Sequence, residues 1–165
     1  MKTSVESFKV SSGQIVIGDP CYSVEMNRLV SAKKGTWTAH VETSNEGSWG
    51  ERVSKILVHH VDFSMYGRNM LTESMTIGVD SGQAGVFDLS SYGDDGEDIY
   101  DDCCRQSLSK KRCGFLPGGF ISSSGYGDGC YDVTVFKEKG VSVAVEVVFI
   151  CKDEDMEPSD EEEDE

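Results

Sequence analysis

The chain is expected to be mainly β, an antiparallel β-sandwich or distorted barrel with one short inserted helix, and three observations point there. The first is "GVSVAVEVVFI", which places Val141, Val143, Val145, Val147 and Phe149 on one face, while Ser142, Ala144 and Glu146 begin the other. That period of two belongs to a strand with at least one buried face. The second is "CYDVTVF" just upstream, which alternates in the same way, joined to the last run by the polar "KEKG" with its terminal glycine. Two alternating runs around a short glycine-ended link read as a β-hairpin. The third is the recurrence of short β-prone runs between glycine-rich breaks, about seven in all, as in sandwiches and barrels.

Taken in order, "SGQIVIGDP" predicts a strand closed by Pro20, which has no N–H to give a ladder. "GTWTAHVET" alternates Trp37, Ala39 and Val41 with Thr36, Thr38 and His40, so Trp37 is expected in the core. The run breaks at "SNEGSWGE". "RVSKILVHHVDF" resumes it, with Val53, Leu57, Val61 and Phe63 expected on one face and His59 and His60 on opposite faces. "SMTIGVDSG" and "AGVFDLS" predict two more strands around a glycine turn. "GEDIYDDCCRQSLSKK" differs, because acids crowd its start, lysines its end, and Ile99, Cys103 and Leu108 suit one helical face. A helix near 97–110 follows, and "GFLPGGFISSSG" returns the chain to the sheet.

Of the 165 residues, with 15 basic and 30 acidic side chains and a net charge of −15, most fit one domain over residues 8–151. Residues 152–165, "KDEDMEPSDEEEDE", hold ten acids and one base and almost nothing apolar, so a disordered acidic tail is expected there. The charge argues against direct binding to a nucleic-acid backbone. The absence of an apolar leader in "MKTSVESFKV", and of any membrane-length apolar run, leads to the expectation of a cytoplasmic protein with no membrane partner. Six cysteines without C-x-x-C spacing are then expected as free thiols, with a zinc site from Cys103 or Cys104, Cys113 and one histidine as the lesser reading.

Three stretches carry a resemblance. "SGQIVIGDPCY", "IGVDSGQAGVFD" and "SSSGYGDGCYDVTVFKEKGVSVAVEVVFI", in that order, resemble the motifs of the DUF4241 domain family across nearly all of residues 10–151. Tyr126 stands where that family usually carries Trp. The resemblance implies a mostly β domain of undefined activity, of the kind found in bacterial and phage-like genomes, where an accessory role would suit a small acidic protein.

The matching positions supply the candidate site. Asp19, Tyr22, Asp80, Asp88, Tyr126 and Asp128 are expected to hold a ligand if the loops bearing them gather at one sheet end. Asp19, Asp80, Asp88 and Asp128 are the candidate metal ligands. No cofactor is required on this reading, but converging carboxylates would take a hard cation such as Mg²⁺ or Ca²⁺. Against this, Asp-Pro and Asp-Gly are ordinary turn pairs whose carboxylates accept backbone N–H bonds. No G-x-S-x-G elbow exists, and a triad would have to recruit His40, His59 or His60. Trp49, a large aromatic in a polar loop, either folds back on the domain or meets a partner.

The expectation is therefore a non-catalytic binding or accessory module that holds a small polar ligand or a protein partner at sheet-end loops. A metal-dependent hydrolase using the same aspartates is one alternative. An acidic tail that mimics charge and binds a basic partner is the other.

Overall fold

The alternation near the C-terminus produces a hairpin whose two strands each pair with a further long strand. In a computed structural model, which describes residues 6–64, 70–93 and 97–151, eleven strands are present. They are β1 (Phe8–Val10), β2 (Gln14–Gly18), β3 (Arg28–Ser31), β4 (Gly35–Asn45), β5 (Glu51–His60), β6 (Met70–Val79), β7 (Gln83–Asp88), β8 (Cys113–Leu116), β9 (Gly119–Ser123), β10 (Gly129–Glu138) and β11 (Val141–Val148). Two helices join them, α1 (Leu89–Tyr92) and α2 (Glu97–Ser107). Tyr66 and residues 152–165, including the expected acidic tail, lie outside the described residues.

One sheet has the order β1-β4-β5-β11-β10-β6 and the other β3-β2-β7-β9-β8, with antiparallel pairing throughout both. The fold is thus the mainly β sandwich expected. The β10–β11 hairpin turns at Lys139 and Gly140, both with positive φ (54° and 86°), the left-handed pair that a two-residue hairpin link needs.

The two inner faces meet in one core. Ile15, Ile17, Val86 and Phe120 from the shorter sheet pack with Trp37, Ile56, Val58, Val133, Val145 and Val147 from the longer one. Trp37 is fully buried, as its alternation predicts, and its indole N–H donates to the Lys33 carbonyl at 2.8 Å, so its one polar group is satisfied. The shorter sheet is covered on its other side too, where Val16, Phe87, Leu116 and Ile121 pack with Tyr92 of α1 and Cys103 of α2. Every residue of β7 is buried for that reason. A strand covered on both faces needs no alternation.

Four features differ from the sequence reading. The segment "RVSKILVHH" does not keep one register. A bulge opposite Glu42 and Thr43 leaves Ser54 unpaired with β4, so Val53 faces in and then Ile56, Val58 and His60 do, while Leu57 is only half-buried. One extra residue reverses every later side chain on a strand. The strand also stops at His60, because the Asp62 N–H donates to His60 Nδ1 and the Phe63 N–H to the His60 carbonyl, closing a turn.

The chain leaves β7 at Asp88 and winds straight into α1, so there are two helices rather than one. Finally, α2 ends at Ser107, which is buried, whereas Leu108 is 84% exposed and lies off the apolar face assigned to it. "GFLPGGFIS" does return to the sheet, as the hairpin β8–β9 with Pro117 and Gly118 at its tip. No helix among the described residues is long and apolar enough to cross a membrane.

Candidate functional site

Antiparallel pairing decides which loops share an end. Gly18 of β2 lies opposite Gly85 of β7, and Ile15 opposite Asp88, so Asp19 follows one end of this pair while Asp88 stands at the other. Three residue steps along a strand separate such positions by about 10 Å. The six candidates therefore divide. Gly129 of β10 pairs with Val79 of β6, which sets Asp128 and Asp80 side by side just past the ladder, on the same end as Asp19.

Asp19 is fully buried, and its carboxylate is saturated. Oδ2 accepts the N–H groups of Asp80 and Ser81, each at 2.7 Å, while Oδ1 accepts the Ser81 hydroxyl at 2.6 Å and the Cys21 N–H at 2.9 Å. Four donors fill the lone pairs a carboxylate has to offer. Asp19 thus ties the loop after β2 to the β6–β7 turn. Its main chain is held as well. Asn27 accepts the Asp19 N–H through Oδ1 and donates through Nδ2 to the Asp19 carbonyl and to the Tyr92 hydroxyl, which donates to the Tyr22 carbonyl. Gly18 permits this approach, since a Cβ there would sit 2.1 Å from Asn27 Oδ1.

Asp88 makes an equivalent staple at the opposite end. Its carboxylate accepts the N–H and hydroxyl groups of Ser11 and Ser12 and the hydroxyl of Ser90. Burial pushes the Asp88 carboxyl up, but the bonds from Ser12, Ser90 and Ser11 outweigh it and hold the group down at about 2. Asp80 and Asp128 are exposed, and Tyr22 lies beside them. Partial desolvation, then the charges of Asp80, Cys21, Asp19 and Asp128, push the Tyr22 phenol above its ordinary value. Among the described residues, no group of three or more His, Cys, Asp or Glu side chains is arranged to hold a metal ion.

The cysteines are free thiols, and His40 and His59 stack on each other at 5.3 Å between centroids on the outer face of the longer sheet. His60 is buried against Trp37. Cys103 is buried on the inner face of α2 against the shorter sheet, so neither His40 nor His59 reaches it from across the sandwich.

The same two turns that carry the acids also build a cleft. Ser81, Gly82 and Gln83 from the β6–β7 turn, and Ser123, Gly125, Tyr126 and Gly127 before β10, line a cavity of about 280 Å³. The end of α2 closes one side with Cys104, Ser107 and Leu108, and two arginines, Arg52 of β5 and Arg112 of the α2–β8 loop, complete it. Tyr126 is therefore the candidate that does reach a concavity. It is 51% exposed, meets Trp49 edge to face at 5.8 Å and donates its hydroxyl to Glu46. Trp49 remains 63% exposed despite that contact.

Several of these residues carried no signal in the sequence. Arg52, Arg112 and Asn27 stand in unremarkable local contexts, and only the fold brings them to this end. Arg112 had one latent clue, its place at the close of the basic run "KKR" before Cys113. Comparison of the chain with protein-family models, with curated proteins and with solved structures finds no match in any of the three.

Proposed function

We propose that the protein is a non-catalytic binding module whose ligand occupies the cleft between the β6–β7 turn, the 124–128 turn, the end of α2 and the start of β5. The observation that carries this reading is the pairing of a cavity lined mostly by polar residues with two exposed aromatics, Tyr126 on its wall and Trp49 against Tyr126. Exposed aromatics beside a small number of convergent polar groups are the usual furniture of ligand sites. The cavity is small, and a small polar molecule fits it better than a polypeptide segment.

On this reading the DUF4241-like motifs are the frame of the site. "GDP" supplies Asp19, "VDSG" the turn that Asp19 holds, and "GYGDG" the opposite wall. The aspartates then act by fixing two turns, and the hydrolase alternative loses its ligand set because Asp88 stands at the other end of the sandwich and Asp19 is saturated.

The test uses the two indole N–H signals of the protein in NMR spectra. Trp37 is sealed in the core and Trp49 sits against Tyr126 of the cleft wall. A bound small molecule should shift the Trp49 indole and the amides of Gly82, Gly125 and Gly127 saturably, leaving the Trp37 signal in place. If a chemically diverse set of polar metabolites leaves all of these unmoved, the binding-module reading is wrong.

A further inference from the structure

We infer that the ligand of this cleft is an oxyanion, a small molecule bearing a phosphate or carboxylate group that the Arg52 and Arg112 guanidiniums grip together. The inference rests on the binding-module reading and names the chemistry of its ligand.

Charge makes the two arginines conspicuous. The chain carries twice as many acids as bases, 30 against 15, yet neither Arg52 nor Arg112 forms an ion pair among the described residues. By contrast, Arg105 pairs with Asp102, and Lys55 and Lys137 each meet a glutamate. Arg52 is nevertheless held in place. Its Nε donates to the Trp49 carbonyl at 3.0 Å, and its guanidinium lies 6.0 Å from the Tyr126 ring centre. Anchoring through Nε and the ring leaves the two terminal nitrogens, the pair that makes bidentate bonds to carboxylate or phosphate, without an acceptor among the described residues.

Arg112 is set by its backbone. It has φ of +63°, left-handed for a residue with a Cβ, and the conformation is fixed from both sides. Its N–H donates to the Ser109 carbonyl and its carbonyl accepts the Ser123 N–H at 2.8 Å. Glycine would sit there with less strain. Strain that persists at a cavity wall is typical of positions kept for what the side chain does. The guanidinium has no hydrogen-bond acceptor among the described residues, and Arg112 lines the same cavity as Arg52.

The rest of the wall suits an anion's remaining lone pairs. Ser123 brings a hydroxyl, and Gly82, Gly125 and Gly127 let main chain come close without side chains in the way, while the Ser81 hydroxyl donates to Asp19 and holds the turn in place. The carboxylate nearest this wall is that of Glu46, which accepts the Tyr126 hydroxyl and is not itself part of the lining. Asp19 is consumed by its four bonds, and Asp80 and Asp128 are not part of the cavity wall. The wall includes the C-terminal end of α2, where the helix dipole is unfavourable to an anion, so the two guanidiniums have to carry recognition.

The experiment is a titration of the full chain, followed by amide and indole NMR, with inorganic phosphate and with pyrophosphate, and in parallel with glycerol, at ionic strength held constant with sodium chloride. The expected result is saturable movement of Gly82, Gly125, Gly127 and the Trp49 indole with the phosphates. Affinity should fall about tenfold or more in Arg112→Gly and in Arg52→Gln, the loss expected for one charge-assisted bond. Arg112→Gly suits the local backbone, so the spectrum elsewhere should stay native, and Arg112→Lys should recover part of the affinity. Absence of saturable shifts with both phosphates overturns the inference, as does binding that Arg112→Gly and Arg52→Gln leave unchanged. If glycerol moves the same signals while the phosphates do not, only the oxyanion class fails and the binding module stands. If nothing moves them in a broader metabolite set, both fail.

Discussion

Asp19 and Ser81, sixty-two residues apart, are joined by two hydrogen bonds, with the Ser81 N–H donating to Asp19 Oδ2 and the Ser81 hydroxyl to Oδ1. The pair turns a carboxylate that reads as a metal ligand into the pin that holds the β6–β7 turn against the loop after β2.

Asp19→Asn should therefore act on stability. The amide would replace an acceptor with a donor facing the Asp80 and Ser81 N–H groups, leaving buried donors unsatisfied at a cost of about 2–4 kcal/mol. Denaturant unfolding should show this loss equally with and without added Mg²⁺. A stability that depends on the cation in the wild type alone would restore the metal reading.

Asp88 predicts the acid limb of the stability profile. Its carboxyl is depressed to about 2 in the folded chain against about 3.9 when unfolded, so its stabilisation is complete above the unfolded value and is lost as pH falls through the folded one. The difference corresponds to about 2 kcal/mol. In Asp88→Asn, the fall in unfolding free energy between pH 5 and pH 2 should be smaller by about that amount. An unchanged slope would mean that the serine cluster does not hold the charged form.

Cys21 is exposed, yet its thiol should be sluggish. Partial burial, then the hydrogen bond and charge of Asp19 and the charge of Asp80, together push it up to about 12. A scarcer thiolate is partly offset by its greater intrinsic nucleophilicity, so at pH 8.5 alkylation by iodoacetamide should run some tens of times slower than for an unperturbed thiol. Mass spectrometry of the modified peptides reads the rate directly, and Asp19→Asn should speed it wherever that variant remains folded.

Gly85 should tolerate no side chain. A Cβ there would lie 2.1 Å from the Phe120 carbonyl oxygen and 2.9 Å from Phe87 Cζ, and the first of these is backbone in the paired strand β9. Gly85→Ala should lower stability by about 3 kcal/mol or more, the upper end for overpacking, because a ladder cannot shift as a side chain can. A thermal midpoint close to that of the wild type would contradict the tight packing of β7 on β9.

The terminal hairpin, the core place of Trp37, the opposed faces of His59 and His60 and a helix starting near residue 97, though not its end, could all be read from the sequence. Each depends on periodicity or turn chemistry that acts within a few residues. The short strands β1, β3 and β8 could not, because three or four residues carry too little pattern and exist as strands only through their partners. The bulge at Ser54 was hidden for the same reason. Its sequence fits an unbroken strand, and only pairing with β4 shows the slip.

The candidate site separates along the same line. The sequence determined that Asp19, Asp80 and Asp128 sit at turns, since Asp-Pro, Asp-Ser-Gly and Asp-Gly set backbone geometry locally, and that Asp88 closes a strand. Which turns share an end was decided by strand order and register, and these put Asp88 away from the other three and gave Asp19 four donors of its own. The same register brought Arg52 and Arg112, sixty residues apart and alike in no local feature, to the wall of one cleft. Side-chain chemistry is written residue by residue, but convergence follows from long-range pairing, and the free energy of that pairing belongs to the whole sandwich.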